Sequence, residues 1–186
     1  MVPPKYLSCI KCLVVASGIA VAAGVAFIYS GLYPMAADDR HTALTYWALE
    51  TLRERSINRA SAGIDVPADL DIPERLLAGG ADYNDMCVGC HLKPGKTESD
   101  FTLGLYPVPP NLAQPQRGEV DLEARAQRRF WVIKHGIKAS GMPAWGLEHD
   151  DERIWNMVAF LRRLPSLSPE QYQILTARGS TNSDHH

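Results

Sequence analysis

The run Cys87-Val-Gly-Cys-His91 limits what this chain can fold into more than any other short stretch of it. Two thiols three positions apart reach the same side of a turn, and an imidazole follows at once. Such a set can hold a metal, cycle a disulfide, or be joined to something larger. A structural zinc site wants four nitrogen or sulfur ligands, commonly a second cysteine pair or a histidine pair. Beyond His91 there is neither a second C-x-x-C nor an H-x(3–5)-H. A redox dithiol wants a βαβ setting, and no convincing strand reads from this chain.

Covalent haem attachment remains, and C-x-x-C-H is its signature. Each thiol adds across one vinyl group on the same porphyrin edge, and the adjacent histidine projects under the iron. Iron in a porphyrin has a second axial position, so a second ligand is sought. Met142 is the leading candidate, 51 residues beyond His91 in the run Ser-Gly-Met-Pro-Ala-Trp-Gly. Gly141 permits unusual dihedrals beside a flat group, and Pro143 stiffens the loop that holds the sulfur. A thioether paired with histidine favours ferrous iron and raises the potential. His135 is the rival, at the end of a predicted helix. Met86 abuts the attachment cysteine, and Met157 reads as core filler at helical spacing with Ile154 and Leu161.

A second constraint is Leu13 to Leu32, twenty residues without a charge. As a helix it spans roughly 30 Å, one hydrocarbon core. Lys5 and Lys11 precede it and Asp38 and Asp39 follow, so the positive-inside tendency leaves the N-terminus in the cytoplasm and exports the rest. A cleaved signal peptide is the competing reading, but its apolar region is usually about 7–15 residues. Ala16, Ala20 and Gly24 share one face, in keeping with an alanine-rich span. Cys9 and Cys12 fall on the reducing side, away from Cys87 and Cys90, and read as inert. Residues 38–186 carry 17 basic and 21 acidic side chains, a formal charge of −4. No basic stripe appears, which argues against a nucleic-acid partner.

The remainder reads as helices and turns. A helix is expected over 38–60, capped by Asp38 or Asp39, with Arg53, Glu54 and Arg55 on a solvated face. A second starts with Asp71 as cap and Pro73 in its first turn and runs to Met86. Gly79 and Gly80 inside it cost about 1 kcal/mol each relative to alanine, which close approach of another helix would offset. Lys93 to Gly118 holds five prolines and reads as one long loop. A third helix covers Asp121 to His135, ended by Gly136, and a fourth about Asp150 to Leu164. The tail Gly-Ser-Thr-Asn-Ser-Asp-His-His reads as disordered.

Three segments together, CVGCH, HGIKASGMPAWG and DDERIWNMVAFLRRLP, resemble the class I c-type cytochromes over residues 72–165. The resemblance implies an all-α fold around one covalent haem c. Its first and last helices would cross glycine against aromatic, with Gly79 and Tyr83 facing Met157 and Phe160. Cys87 and Cys90 would form the thioethers, His91 would be the proximal ligand and Met142 the distal one. Tyr-Pro-Val-Pro-Pro-Asn-Leu, residues 106–112, resembles the family's proximal loop. There the carbonyl of Pro107, Pro109 or Pro110 would accept from the free nitrogen of His91. Tyr106, Pro109, Pro110 and Trp131 are the further pocket candidates.

Residues 1–37 then form a transmembrane anchor, 38–71 an extra helix and linker outside the minimal family pattern, and 166–186 an extension with a disordered tail. The implied role is a single-electron carrier on the periplasmic face of a bacterial-type inner membrane. Its partners would be donor and acceptor redox proteins, with no small-molecule substrate, and it would serve on its own or as the cytochrome subunit of a dehydrogenase or oxidase. The competing reading is a peroxidase-like or gas-binding haem protein with an open distal site.

Overall fold

A computed structural model describes residues 4–115 and 121–177. All regular structure among them is helical. The chain divides into two compact units, Met1–Asp39 and Arg40–His186.

The first unit is α1, Pro4–Ser30. Its stretch Ser8–Ser30 is 23 residues long and apolar enough to cross a membrane. Its Leu13, Val14, Ile19, Phe27 and Ile28 side chains are all exposed, the arrangement that a lipid-facing helix requires.

The second unit contains α2 (Ala43–Ser61), α3 (Pro73–Met86), α4 (Val88–His91), α5 (Asp100–Gly104), α6 (Leu122–His135), α7 (Asp151–Arg163) and α8 (Pro169–Thr176). Short 3-10 turns cover Trp145–Leu147 and Leu164–Ser166. The core is built where α3 crosses α7. A Cβ on Gly79 would overlap the Asn156 carbonyl of α7. A Cβ on Gly80 would overlap the Leu175 carbonyl of α8 and stand 3.1 Å from the Phe160 ring. The adjacent glycines therefore let two helices approach one. Tyr83 and Phe160 lie ring to ring at 5.3 Å, and Tyr172 of α8 meets Tyr83 edge-on at 6.3 Å. Met157 is buried in the same cluster, as is Ile154. Each such side chain contributes about 1.5–3 kcal/mol on removal from water. Phe130 brings α6 onto α7 by stacking on Trp155 at 4.2 Å. Asp82, 8% exposed, takes a two-pronged bond from Arg153 at 2.8 and 2.9 Å and ties α3 to α7 at this crossing.

Several sequence expectations change. Thr42, not Asp38 or Asp39, caps α2, its hydroxyl accepting from the Thr45 amide at 3.3 Å. Asp71 does not cap α3; Ile72 stands at that position without a side-chain bond, and the Asp71 carboxylate turns to Arg162 at 3.2 Å. Charge attraction to α7 outweighs capping because Pro73 already removes one of the amides a cap would serve. Glu54 is not merely solvated: Arg128 of α6 reaches it at 2.9 Å and Asn58 at 3.0 Å. With Ile57 and Ser61 buried, the second half of α2 belongs to the domain, while Leu44, Trp47 and Leu52 in its first half stay exposed. The proline-rich stretch after Lys93 is not continuous loop, because Ser99 and Thr102 cap each other reciprocally and start α5; its end at Gly118 lies outside the described residues. Beyond residue 166 the chain forms α8, opened by a capping box between Ser168 and Gln171. The polar tail from Gly179 lies outside the described residues.

Candidate functional site

The attachment motif sits where α3 stops. Cys87 takes φ −115° and gives its amide to the Tyr83 carbonyl at 2.9 Å. The chain then winds one more turn as α4, with the Cys90 and His91 amides both donating to the Cys87 carbonyl at 3.2 and 2.9 Å. Both thiols are thereby on one turn, half-buried and free of any disulfide. Leu92 follows with φ +64°, a backbone that a non-glycine residue adopts only when held. The Tyr83 hydroxyl holds it, donating to the Leu92 carbonyl at 2.6 Å and the His91 carbonyl at 3.1 Å. One side chain thus packs the helix crossing and pins the motif.

His91 is clamped by the proline-containing loop. Its Nδ1–H donates to the Pro110 carbonyl at 2.9 Å, and the Leu112 amide returns a bond to the His91 carbonyl at 3.1 Å. Of the three prolines open to this role, the geometry selects Pro110. With Nδ1 engaged as donor, Nε2 keeps its lone pair for a metal. Burial lowers the pKa of His91, which favours the neutral ring, and the bond to the Pro110 carbonyl partly counters that shift. Burial also pushes the Cys87 thiol up to about 12, with the Asp82 carboxylate and Cys90 adding to the effect.

Met142 lies in a tight loop closed on itself. The Ile137 amide donates to the Met142 carbonyl at 3.1 Å, and the Met142 amide donates to Ser140 Oγ at 3.1 Å. Gly136, with φ +65°, ends α6, and a Cβ there would stand 2.7 Å from the Met142 carbonyl oxygen. Met142, Cys87, Val88, Leu112 and Trp145 are all partly buried and pack against the one core cluster.

Residues 74–161 match the family model described as cytochrome c oxidase, cbb3-type, subunit III. Residues 74–161 are a class I c-type cytochrome domain. No curated protein and no solved structure matches the chain. The cytochrome domain is a haem-binding electron carrier, and Cys87, Cys90 and His91 fit a single C-x-x-C-H attachment site for covalent haem c. The donor chemistry agrees: two unpaired thiols on one turn, and an imidazole whose outer nitrogen is already satisfied.

The cytochrome domain places its other candidates unevenly. Tyr106 is half-buried with its ring edge-on to His41 at 5.3 Å. Pro109 is half-buried in the loop that Pro110 anchors. Trp131 stands half-buried on α6 with its ring 5.0 Å from that of His135. His135 is exposed in the last turn of α6. Sequence reasoning missed a chain of contacts beside Cys87. Arg153, while holding Asp82, also donates to His149 Nδ1 at 3.5 Å. His149 Nε2 then faces Met86 Sδ at 3.2 Å, and Trp145 stacks on the same ring at 5.6 Å. With Nδ1 accepting, Nε2 carries the proton and donates to the sulfur. Met86 and His149 therefore occupy each other. No local spacing announces this set, because Asp82 and Arg153 are 71 positions apart.

Proposed function

We propose that the protein passes single electrons between membrane-bound or exported redox enzymes, with its iron held by His91 on one face and Met142 on the other. The observation that carries this reading is the bond from His91 Nδ1 to the Pro110 carbonyl, which leaves Nε2 as a fixed, neutral ligand. Bound haem c supplies a one-electron ferric/ferrous couple. The chain's contribution is rigidity. Pro110 and Leu112 fix the proximal side, while Gly136 and Ser140 fix the loop carrying Met142. His91 and Met142 would hold the iron in both oxidation states, which would keep reorganisation small and leave no position on it for a substrate.

Lys5 and Lys11 before the apolar helix, with Asp38 and Asp39 after it, support a cytochrome domain on the outer, periplasmic side. Tethering raises its effective concentration near membrane partners. The family description supports service as the cytochrome subunit of an oxidase. The exposed Leu44, Trp47 and Leu52 of α2 supply an apolar contact for such a partner.

Met142→Ala tests the ligand set. The weak ferric band that reports sulfur ligation should vanish, and the ferrous variant should bind carbon monoxide at once, whereas the parent protein should not. An unchanged spectrum in the variant would remove Met142 from the iron, and immediate binding of the gas by the parent would favour an open-site haem enzyme. The contact surface is tested by combining Leu44→Ser, Trp47→Ser and Leu52→Ser. Co-purification of the redox partner from solubilised membrane should fall about tenfold, equivalent to about 1.4 kcal/mol, with the haem spectrum unchanged. Removing all of α2 is a poor test, because Ile57 and the Arg128 contacts to Glu54 and Asn58 tie its second half to α6.

A further inference from the structure

A cavity of about 220 Å³ opens between the start of α6 and the end of α7, and four arginines line it: Arg125, Arg129, Arg162 and Arg163. The carboxylate on its wall is Asp71, which pairs with Arg162 at 3.2 Å and lies 4.0 Å from Arg163. Glu123 lines the neighbouring recess with Arg162. Among the described residues no carboxylate pairs with Arg125 or Arg129. The Nε of Arg125 is buried without a hydrogen-bond partner. Burial pulls the Arg129 pKa down to about 10, and the neighbouring Arg125 and Arg162 charges push it the same way. Residues 38–186 are net acidic, so this concentration of four cations around one carboxylate is a local feature and not part of a general basic surface.

Crowding partly buried guanidiniums around one carboxylate is costly, because each loses hydration and repels its neighbours. A doubly charged oxyanion would offset both terms, since the planar fork of arginine matches phosphate oxygens two at a time. We propose that this cavity binds a phosphate-class anion, either a free phosphate or diphosphate group or the headgroup of an acidic phospholipid. The site is separate from the haem attachment. Asp71 precedes α3 and Cys87 follows it, and fourteen residues of helix separate its two ends by about 20 Å. The membrane anchor makes an acidic lipid an available source, and the arginine chemistry is the same for either.

The test uses the full chain, haem attached, in neutral detergent at low salt. Inorganic diphosphate is titrated by calorimetry. In parallel, native mass spectrometry reads retention of phosphatidylglycerol against phosphatidylcholine. Arg129→Gln and the more exposed Arg163→Gln are compared with the parent, with the haem spectrum as the check on folding. Diphosphate binding that weakens roughly tenfold in Arg129→Gln supports the site, and assigns it to free anions if phosphatidylglycerol is not preferred. Preferential retention of phosphatidylglycerol that both variants lose supports the site and assigns it to lipid. Binding of neither probe, or binding equal in the parent and both variants, overturns the proposal.

Discussion

Replacing Gly79 by alanine is expected to cost the domain about 3 kcal/mol, at the upper end of the usual penalty for overpacking. The added methyl would enter the Asn156 carbonyl and come within 2.9 Å of the Met157 amide. These are backbone atoms of α7 and cannot rotate aside, so α3 and α7 must separate. Separation would loosen Tyr83 from Phe160, and with it the Tyr83 hydroxyl that holds Leu92 and His91. A loss of this size is a large share of the ~5–15 kcal/mol that keeps a domain folded. Urea unfolding of the haem-loaded protein is the measurement: the midpoint should fall with little change in slope. Gly104→Ala is the control, since nothing lies within 4 Å of a Cβ at that position. Equal midpoints for Gly79→Ala and Gly104→Ala would show that the crossing is looser than described.

The double change Cys87→Ala with Cys90→Ala should abolish covalent pigment. Both thiols stand on the single turn that begins α4, and the other two cysteines, Cys9 and Cys12, belong to α1. The readouts are haem staining after denaturing electrophoresis and extraction by acid–acetone. The parent should keep its pigment through both and the double variant should keep none. Folding should suffer too. Val88, Leu112, Met142 and Trp145 pack on the core and are only partly buried, and on the proposed ligand set, losing the porphyrin would leave that apolar surface to water. The variant should unfold over a broader range with reduced cooperativity. Pigment surviving denaturation in the double variant would contradict the attachment site.

What could be read early was carried by neighbours in sequence. The attachment motif needs only two thiols and an imidazole on one turn. Asp121, Gly136 and Asp150 mark the ends of α6 and the start of α7 because caps and left-handed glycines act within four residues. Gly79 was legible as a close-approach position because a helix interior tolerates glycine poorly without such a reason. The eight-residue α8 escaped because so short a segment shows little periodicity, although Ser168-Pro-Glu-Gln carried a capping signal. Its role appears only when Gly80 is seen to receive the Leu175 carbonyl.

From its residues alone this chain determined that Cys87, Cys90 and His91 fit one attachment site for covalent haem c, that its domain would be helical, and that an apolar helix would precede it. Those properties follow from short-range spacing and from the length of one uncharged run. Only the tertiary structure decided which proline orients His91, that Asp71 serves α7 instead of capping α3, and that Glu54 binds Arg128 across 74 positions. It alone gathered Arg125, Arg129, Arg162 and Arg163 around one cavity. The reason is physical: turns and caps are settled by bonds between adjacent residues, whereas charge partners and cavities depend on which helices the packed core brings together.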